Sequence, residues 1–251
     1  MTYGLVLSGG GARGIMHLGV IKALEEIGLT FTHIAGTSAG SIVGSLYAHG
    51  YSPDEIFEII TSTTFIRSLR PSWTWTGLLN LEALSAILIK HLPENDFNAL
   101  QKNLTVAATD LLKGKTAYFS DGALIPAILS SCCIPGIFKP IELNGSLYVD
   151  GGILDNLPVK PLKNACDFIV ASHCNPIDDL FDKRNIKAIV ERCLLMAVSG
   201  NTLVSKTLCN VLIEPPAIGR FSGGELGKAK EMFDIGYHYT LEKYKDQDFR
   251  G

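Results

Sequence analysis

Two short apolar runs, Tyr3 to Leu7 and Phe31 to Ala35, each end in a glycine-rich turn that opens into an apolar helical pattern. A strand that turns straight into a helix cannot meet its successor through a hairpin. It needs a crossover, and a repeated crossover implies a parallel sheet. The first helical pattern runs from Ile15 to Ile27, with Ile15, Leu18, Ile21, Leu24 and Ile27 recurring on one face and Gly28 as its stop. The second, Ser41 to His49, is small and apolar throughout and closes at Gly50. Ser52, with Pro53 and Glu55 behind it, predicts a capping box at the next helix start.

Further along, Leu104 to Thr109, Asp167 to Ser172 and Val211 to Ile213 read as buried strands, and Ala123 to Cys132 as a helix. Ile141 to Val149 reads as a hairpin around Asn144-Gly145. No internal repeat, low-complexity tract or linker divides the chain. The predicted fold class is α/β: one domain over residues 1–251, three-layer α/β/α, with a mostly parallel central sheet. Asn175 to Lys183 is polar and contains a proline, which predicts a mobile surface loop.

Charge and cysteine content narrow the function classes. A net charge of −3 without a long basic run gives no reason to expect nucleic acid as a partner. The six cysteines form no C-x-x-C pair, so they read as reduced thiols in a cytoplasmic protein. The apolar run near the N-terminus is too short for a signal peptide. The long apolar segment from Ile186 to Cys209 is interrupted by Lys187, Glu191, Arg192 and Lys206, which leaves peripheral membrane contact as the only kind expected.

The turn after the first strand reads Ser8-Gly9-Gly10-Gly11-Ala12-Arg13-Gly14. It satisfies G-x-G-x-x-G, but a dinucleotide site also needs an acid at the end of the second strand, and that strand ends in Ala35-Gly36-Thr37-Ser38. Consecutive glycines at a helix N-terminus instead suit an anion, and a tetrahedral oxyanion is one. The turn after the second strand is Gly36-Thr37-Ser38-Ala39-Gly40, the G-x-S-x-G of a nucleophile elbow, in which small residues on both sides of the serine relieve crowding.

A serine there needs a base. By chain order His173 and His238 qualify, although His173 ends a strand and His238 lies between two tyrosines in the terminal helix. Asp150, followed by Gly151-Gly152 at a strand end, is the alternative. The residues alone leave Asp150 equally open as a base or as the cap of its own turn.

Taken together, GGGARG, GTSAG, SSCCIPGIFKPI and DGGILDNLPV resemble, in order and spacing, the patatin-like phospholipase family. The resemblance covers most of the chain and implies a patatin-like α/β/α fold and a serine acyl hydrolase of lipid esters. It implies Ser38 as nucleophile, Asp150 as proton acceptor and no histidine. The oxyanion hole would be formed by Gly9, Gly10 and Gly11. Arg13, Gly14, Gly36, Gly40, Gly151 and Gly152 would support the motifs. No cofactor and no metal are implied, and the partner is a lipid or fatty-acyl ester. Gly152 is as often alanine in the family, and Cys132-Cys133 is expected to pack in the core. The alternative is a catalytically silent relative that binds acyl chains or membranes. Phe65 to Leu81 places Trp73 and Trp75 among arginines and leucines; the favoured reading is a loop whose tryptophans cover the core, and the sharper alternative is a headgroup boundary or a mobile cap over the acyl channel.

Overall fold

The computed structural model describes residues 1–68, 81–177, 186–247 and 249. Trp73, Trp75 and most of the Phe65 to Leu81 segment lie outside the described residues, as does much of the Asn175 to Lys183 stretch.

Eight strands form one sheet: β1 (Tyr3–Leu7), β2 (His33–Thr37), β3 (Asn103–Asp110), β4 (Lys115–Phe119), β5 (Ile141–Leu143), β6 (Ser146–Asp150), β7 (Phe168–Ser172) and β8 (Val211–Ile213). Their order is β5-β6-β3-β2-β1-β7-β8, with β4 also paired to β3. β3, β2, β1, β7 and β8 are parallel, while β4, β5 and β6 are antiparallel additions on the β3 side. The sequence suggested neither β4 nor the order. It also put the second strand two residues early, because Phe31 is apolar and buried without being part of the ladder.

The helices are α1 (Met16–Glu26), α2 (Ala39–His49), α3 (Pro53–Thr61), α4 (Thr63–Ser68), α5 (Glu82–His91), α6 (Leu124–Ser131), α7 (Ile186–Leu208) and α8 (Ala229–Tyr244). The expected capping box at Ser52 and Glu55 is present. Right-handed crossovers explain the layering. The chain first moves outward from β1 to β2 to β3, which puts α1 and α2 on one face. It then returns to the far side of β1, which puts the β6–β7 and β7–β8 connections on the other.

The core divides accordingly. Leu5, Leu7, Ile34 and Val170 join the large cluster beneath α1, α2 and α6, while Val6, Ala35, Ile169 and Ala171 face a thin layer made by Leu157, Val159 and Leu162. Both faces are covered, one thickly and one thinly. The strand order reverses between β1 and β7, so the loop leaving β1 sits at the topological switch point, where α/β folds place their ligands.

Candidate active site

Ser38 follows the last residue of β2 and precedes α2, with φ 51° and ψ −123°. A non-glycine residue in that region carries about 1–3 kcal/mol of backbone strain, which the surroundings must impose. They do so by close approach. A side chain at Gly40 would overlap the Leu7 carbonyl, and one at Gly36 would come within 2.5 Å of the Gly40 oxygen. Gly14 meets Ala39 in the same crowded corner. The Ser38 amide donates to Ser131 Oγ at 2.8 Å, and Ser131 in turn donates to the Ala107 carbonyl at 2.6 Å. The last turn of α6 thus fastens the elbow to β3.

Asp150 ends β6 opposite Ala108, and Ala107 is the partner of Thr37 across β2 and β3. The register therefore brings Asp150 and Ser38 to one level of the sheet, with only alanines on the strand between them. The Asp150 amide donates to the Cys133 carbonyl at 2.8 Å, and Thr109 Oγ1 donates to the Asp150 carbonyl at 3.0 Å. Three successive residues, Ser131, Cys132 and Cys133, consequently touch both halves of the pair. Ser131 holds the Ser38 amide, Cys133 holds the Asp150 amide, and the buried Cys132 thiol lies against the Ser38 and Ser41 hydroxyls. Burial drives the Cys132 thiol far above its ordinary range and pushes Cys133 up to about 12, so both are neutral.

Asp150 Oδ1 accepts the Gly152 amide at 2.8 Å, and the Ser38 hydroxyl lies close enough to the carboxyl to favour its ionised form. The turn reading of Asp150 is realised in the Gly152 bond, and it does not exclude the other, because a carboxylate has acceptor sites for its own turn and for a serine at once. Gly151 is required by the close approach of the Ala107 carbonyl, whereas a side chain on Gly152 would meet only the ends of the Asn156 and Asp150 side chains, at 2.9 and 3.0 Å. Asp150 is 8% exposed, as is Ser38. Burial raises the Asp150 pKa from 3.8 to about 6, with the nearby Ser38 hydroxyl and the bond from the Gly152 amide partly offsetting it.

The glycine loop runs past the same corner. A side chain on Gly9 would lie 2.5 Å from Asn156 Oδ1 and 3.1 Å from Ser38 Cβ. Of the three glycines expected as oxyanion donors, Gly9 has its amide committed to the Asn156 carbonyl at 3.2 Å, whereas Gly10 and Gly11 donate to no acceptor among the described residues. The Gly9 carbonyl accepts from Asn175 Nδ2, Asn156 Nδ2 and the Cys174 thiol. It belongs to the same peptide unit as the Gly10 N–H, and donors on the oxygen polarise that unit and strengthen the N–H. Gly11 has φ 57°, and the following Ala12 amide donates to the Gly223 carbonyl at 2.7 Å.

Arg13 and His17 are buried behind the loop. His17 bonds the Ser8 carbonyl at 2.9 Å and Ser172 Oγ at 2.7 Å, and burial lowers its pKa to about 4, so it is an uncharged strut. His17, Ser131, Asn156 and Asn175 were not singled out from the sequence. Their partners lie up to 166 residues away, and no local pattern announces such contacts.

Neither candidate histidine is bonded to Ser38 among the described residues. His173 Nδ1 lies 2.6 Å from Glu214 Oε1, which also accepts from Lys206 at 2.6 Å. Burial would raise the Glu214 pKa, but the bonds from His173 and Lys206 more than offset it, so the carboxylate accepts and Nδ1 carries the proton. His238 lies on α8, beside Asp234 and Ile235 in a shallow surface depression.

A parallel-centred α/β sheet, a strained serine between β2 and α2, and a buried aspartate at the same level of the sheet define the architecture and the candidate site, with no histidine bonded to the serine among the described residues. Residues 5–163 match the patatin-like phospholipase family, and the chain belongs to it. Among curated relatives, an NTE family protein of Mycobacterium bovis is 38% identical over 174 residues, spanning 68% of this chain and 48% of its own. The lysophospholipase nte1 of Aspergillus fumigatus is 29% identical over 281 residues, spanning 97% of this chain and 18% of its own. The chain thus spans less than half the length of these relatives. Among solved structures, VipD from Legionella pneumophila superposes with a TM-score of 0.51 at 19% identity, covering 98% of this chain and 71% of that one, which is a likeness of fold. No helix among the described residues is long and apolar enough to cross a membrane.

Proposed function

We propose that the protein is a metal-independent serine acyl hydrolase of lipid esters, of the phospholipase A, lysophospholipase or esterase type, working through a Ser38–Asp150 dyad. The observation that carries this reading is the strained Ser38 set by sheet register at the level of a buried Asp150 whose pKa burial raises to about 6. An aspartate with an ordinary pKa is a weak base at neutral pH. One raised to about 6 is still ionised at pH 7 and is close enough to that pH to accept a proton usefully. Membership of the patatin-like phospholipase family and likeness to a lysophospholipase support the substrate class.

In this mechanism Ser38 Oγ attacks the ester carbonyl carbon as its proton passes to Asp150. The carbonyl π electrons move to oxygen, and the Gly10 and Gly11 amides hold the resulting oxyanion. The polarised Gly9–Gly10 peptide makes the Gly10 donor the stronger of the two. When the intermediate collapses, the acyl–oxygen bond breaks and the leaving alkoxide takes the proton from Asp150, leaving Ser38 acylated. Water then gives a proton to Asp150 and attacks the acyl-serine, and the proton returns to Ser38 Oγ as the fatty acid leaves. The N-terminus of α2 beside Ser38 adds favourable partial charge.

The test is covalent labelling with a fluorophosphonate, read by peptide mass, together with hydrolysis of a medium-chain p-nitrophenyl ester in the presence of chelator. A single adduct on the Ser38 peptide and loss of turnover in Ser38→Ala are expected. Absence of both label and turnover would favour the acyl-binding alternative over the enzyme.

A further inference from the structure

α7 is built inside out. Ile186, Val190, Leu194, Met196, Leu203 and Val204 are 53–78% exposed, while Thr202 and Ser205 on the same helix are fully or almost fully buried. At about 100° per residue those six apolar positions occupy one half of the helix circumference. The same spacing puts Arg192 and Lys206, the charged residues of the helix whose side chains are described, in the other half. A surface helix ordinarily does the reverse, turning its apolar stripe inward and its polar residues to water. Single exposed apolar residues need no explanation, but a contiguous uncharged stripe along a 23-residue helix marks a surface that is covered when the protein works.

The position of the helix says what covers it. Asn201 Nδ2 donates to the carbonyls of Gly152 and Ile153 at 2.9 and 3.1 Å, and Asn201 Oδ1 accepts the Asn156 amide at 3.1 Å. α7 is therefore anchored directly to the turn that follows Asp150. That turn carries two more exposed apolar side chains, Ile153 and Leu154. The apolar face and the candidate catalytic acid share one structural unit, and the substrate class proposed for that acid exists as bilayers or micelles.

We propose that the outward face of α7, continued by Ile153 and Leu154, seats the protein on a lipid surface beside its active site. This inference rests on reading the site as a lipid acyl hydrolase. α7 lies flat in the interface with its apolar half among the acyl chains, as amphipathic helices do, and its buried polar face holds it to the catalytic turn. Ester substrate then reaches Ser38 from the aggregate.

The test uses the intact chain. Partition into vesicles of phosphatidylcholine with phosphatidylglycerol is measured by co-sedimentation for Ser38→Ala, which does not consume the lipid, with and without Val190→Ser, Leu194→Ser and Leu203→Ser. Turnover is measured in the Ser38 background on p-nitrophenyl butyrate below its aggregation limit and on micellar lysophosphatidylcholine. All three positions are exposed, so the fold is expected to persist, which circular dichroism checks. The triple variant is expected to lose at least about tenfold in vesicle partition, since withdrawing even one such side chain from an apolar medium is worth about that much. It should lose turnover on micelles in the same proportion and keep its turnover on the monomeric ester.

Vesicle binding that is absent in the parent, or unchanged in the triple variant, overturns the proposal. So does a parent dimer that the triple variant converts to monomer without any vesicle partition, which would assign the face to a second copy of the chain. Failure of the enzymatic reading looks different: monomeric ester is not turned over, or is turned over equally by Ser38→Ala, while vesicle binding still depends on α7.

Discussion

Asp150→Asn should abolish turnover and at the same time stabilise the protein at neutral and alkaline pH. The Asp150 pKa rises from 3.8 to about 6 on folding, chiefly through burial. A carboxyl whose folded pKa lies above its unfolded one binds its proton more tightly in the folded state. Its ionisation therefore costs the fold, fully above about pH 6 and not at all below 3.8. At about 1.4 kcal/mol per pH unit, that interval corresponds to roughly 3 kcal/mol as an upper bound. Asparagine keeps the shape and the Oδ1 acceptor for the Gly152 amide but carries no charge. Its stability advantage should be largest near pH 8 and shrink to under about 1 kcal/mol by pH 4, as the wild-type carboxyl takes up its proton.

Under the proposed dyad the same titration should control the rate. With a base of pKa about 6, kcat/KM for a monomeric ester should fall to about a tenth of its plateau at pH 5, whereas a base of pKa 3.8 would leave it almost untouched there. The assays are urea unfolding of both proteins at several pH values and a pH–rate profile of the wild type. An asparagine variant less stable than wild type at pH 8, or an acid limb centred near pH 4, would refute the reasoning.

Ser131→Ala removes the acceptor of the Ser38 amide and should cost about 1–3 kcal/mol in urea unfolding while lowering kcat more than it raises KM; unchanged values of both would show that the elbow does not lean on α6. Gly40→Ala drives a methyl group into the Leu7 carbonyl and should lower the unfolding midpoint sharply or leave the protein insoluble, as thermal melting or expression trials would show; a variant as stable as wild type would contradict the crowding described at the elbow. His17, held at a pKa of about 4, should stay neutral in nitrogen-15 spectra of the imidazoles down to about pH 5, and a His17 ring titrating near 6.5 would contradict its role as a buried strut.

The local devices were legible in the sequence because their causes are local. The glycine run, the elbow and the Asp-Gly-Gly turn each need particular residue types at fixed spacing, and the structure shows the contacts that require them. What the sequence left open was relational. The pairing of Asp150 with Ala108 in β3 sets its level against Ser38, and that register depends on an antiparallel addition to a parallel sheet. The donors on the Gly9 carbonyl come from Asn156 and Asn175, far along the chain. The Gly9 amide, counted from the motif as an oxyanion donor, is taken by a backbone carbonyl no motif reveals. The inverted polarity of α7 was also hidden, because periodicity shows that a helix is two-faced without showing which face is turned inward.

The most direct test of the central claim compares four proteins on a medium-chain p-nitrophenyl ester with chelator present: wild type, Ser38→Ala, Asp150→Asn, and the double variant His173→Ala/His238→Ala. The dyad predicts turnover lost by about a thousandfold or more in the two single variants and largely retained in the double histidine variant. Turnover retained by Asp150→Asn and lost in a folded histidine variant would contradict it and make a histidine the base.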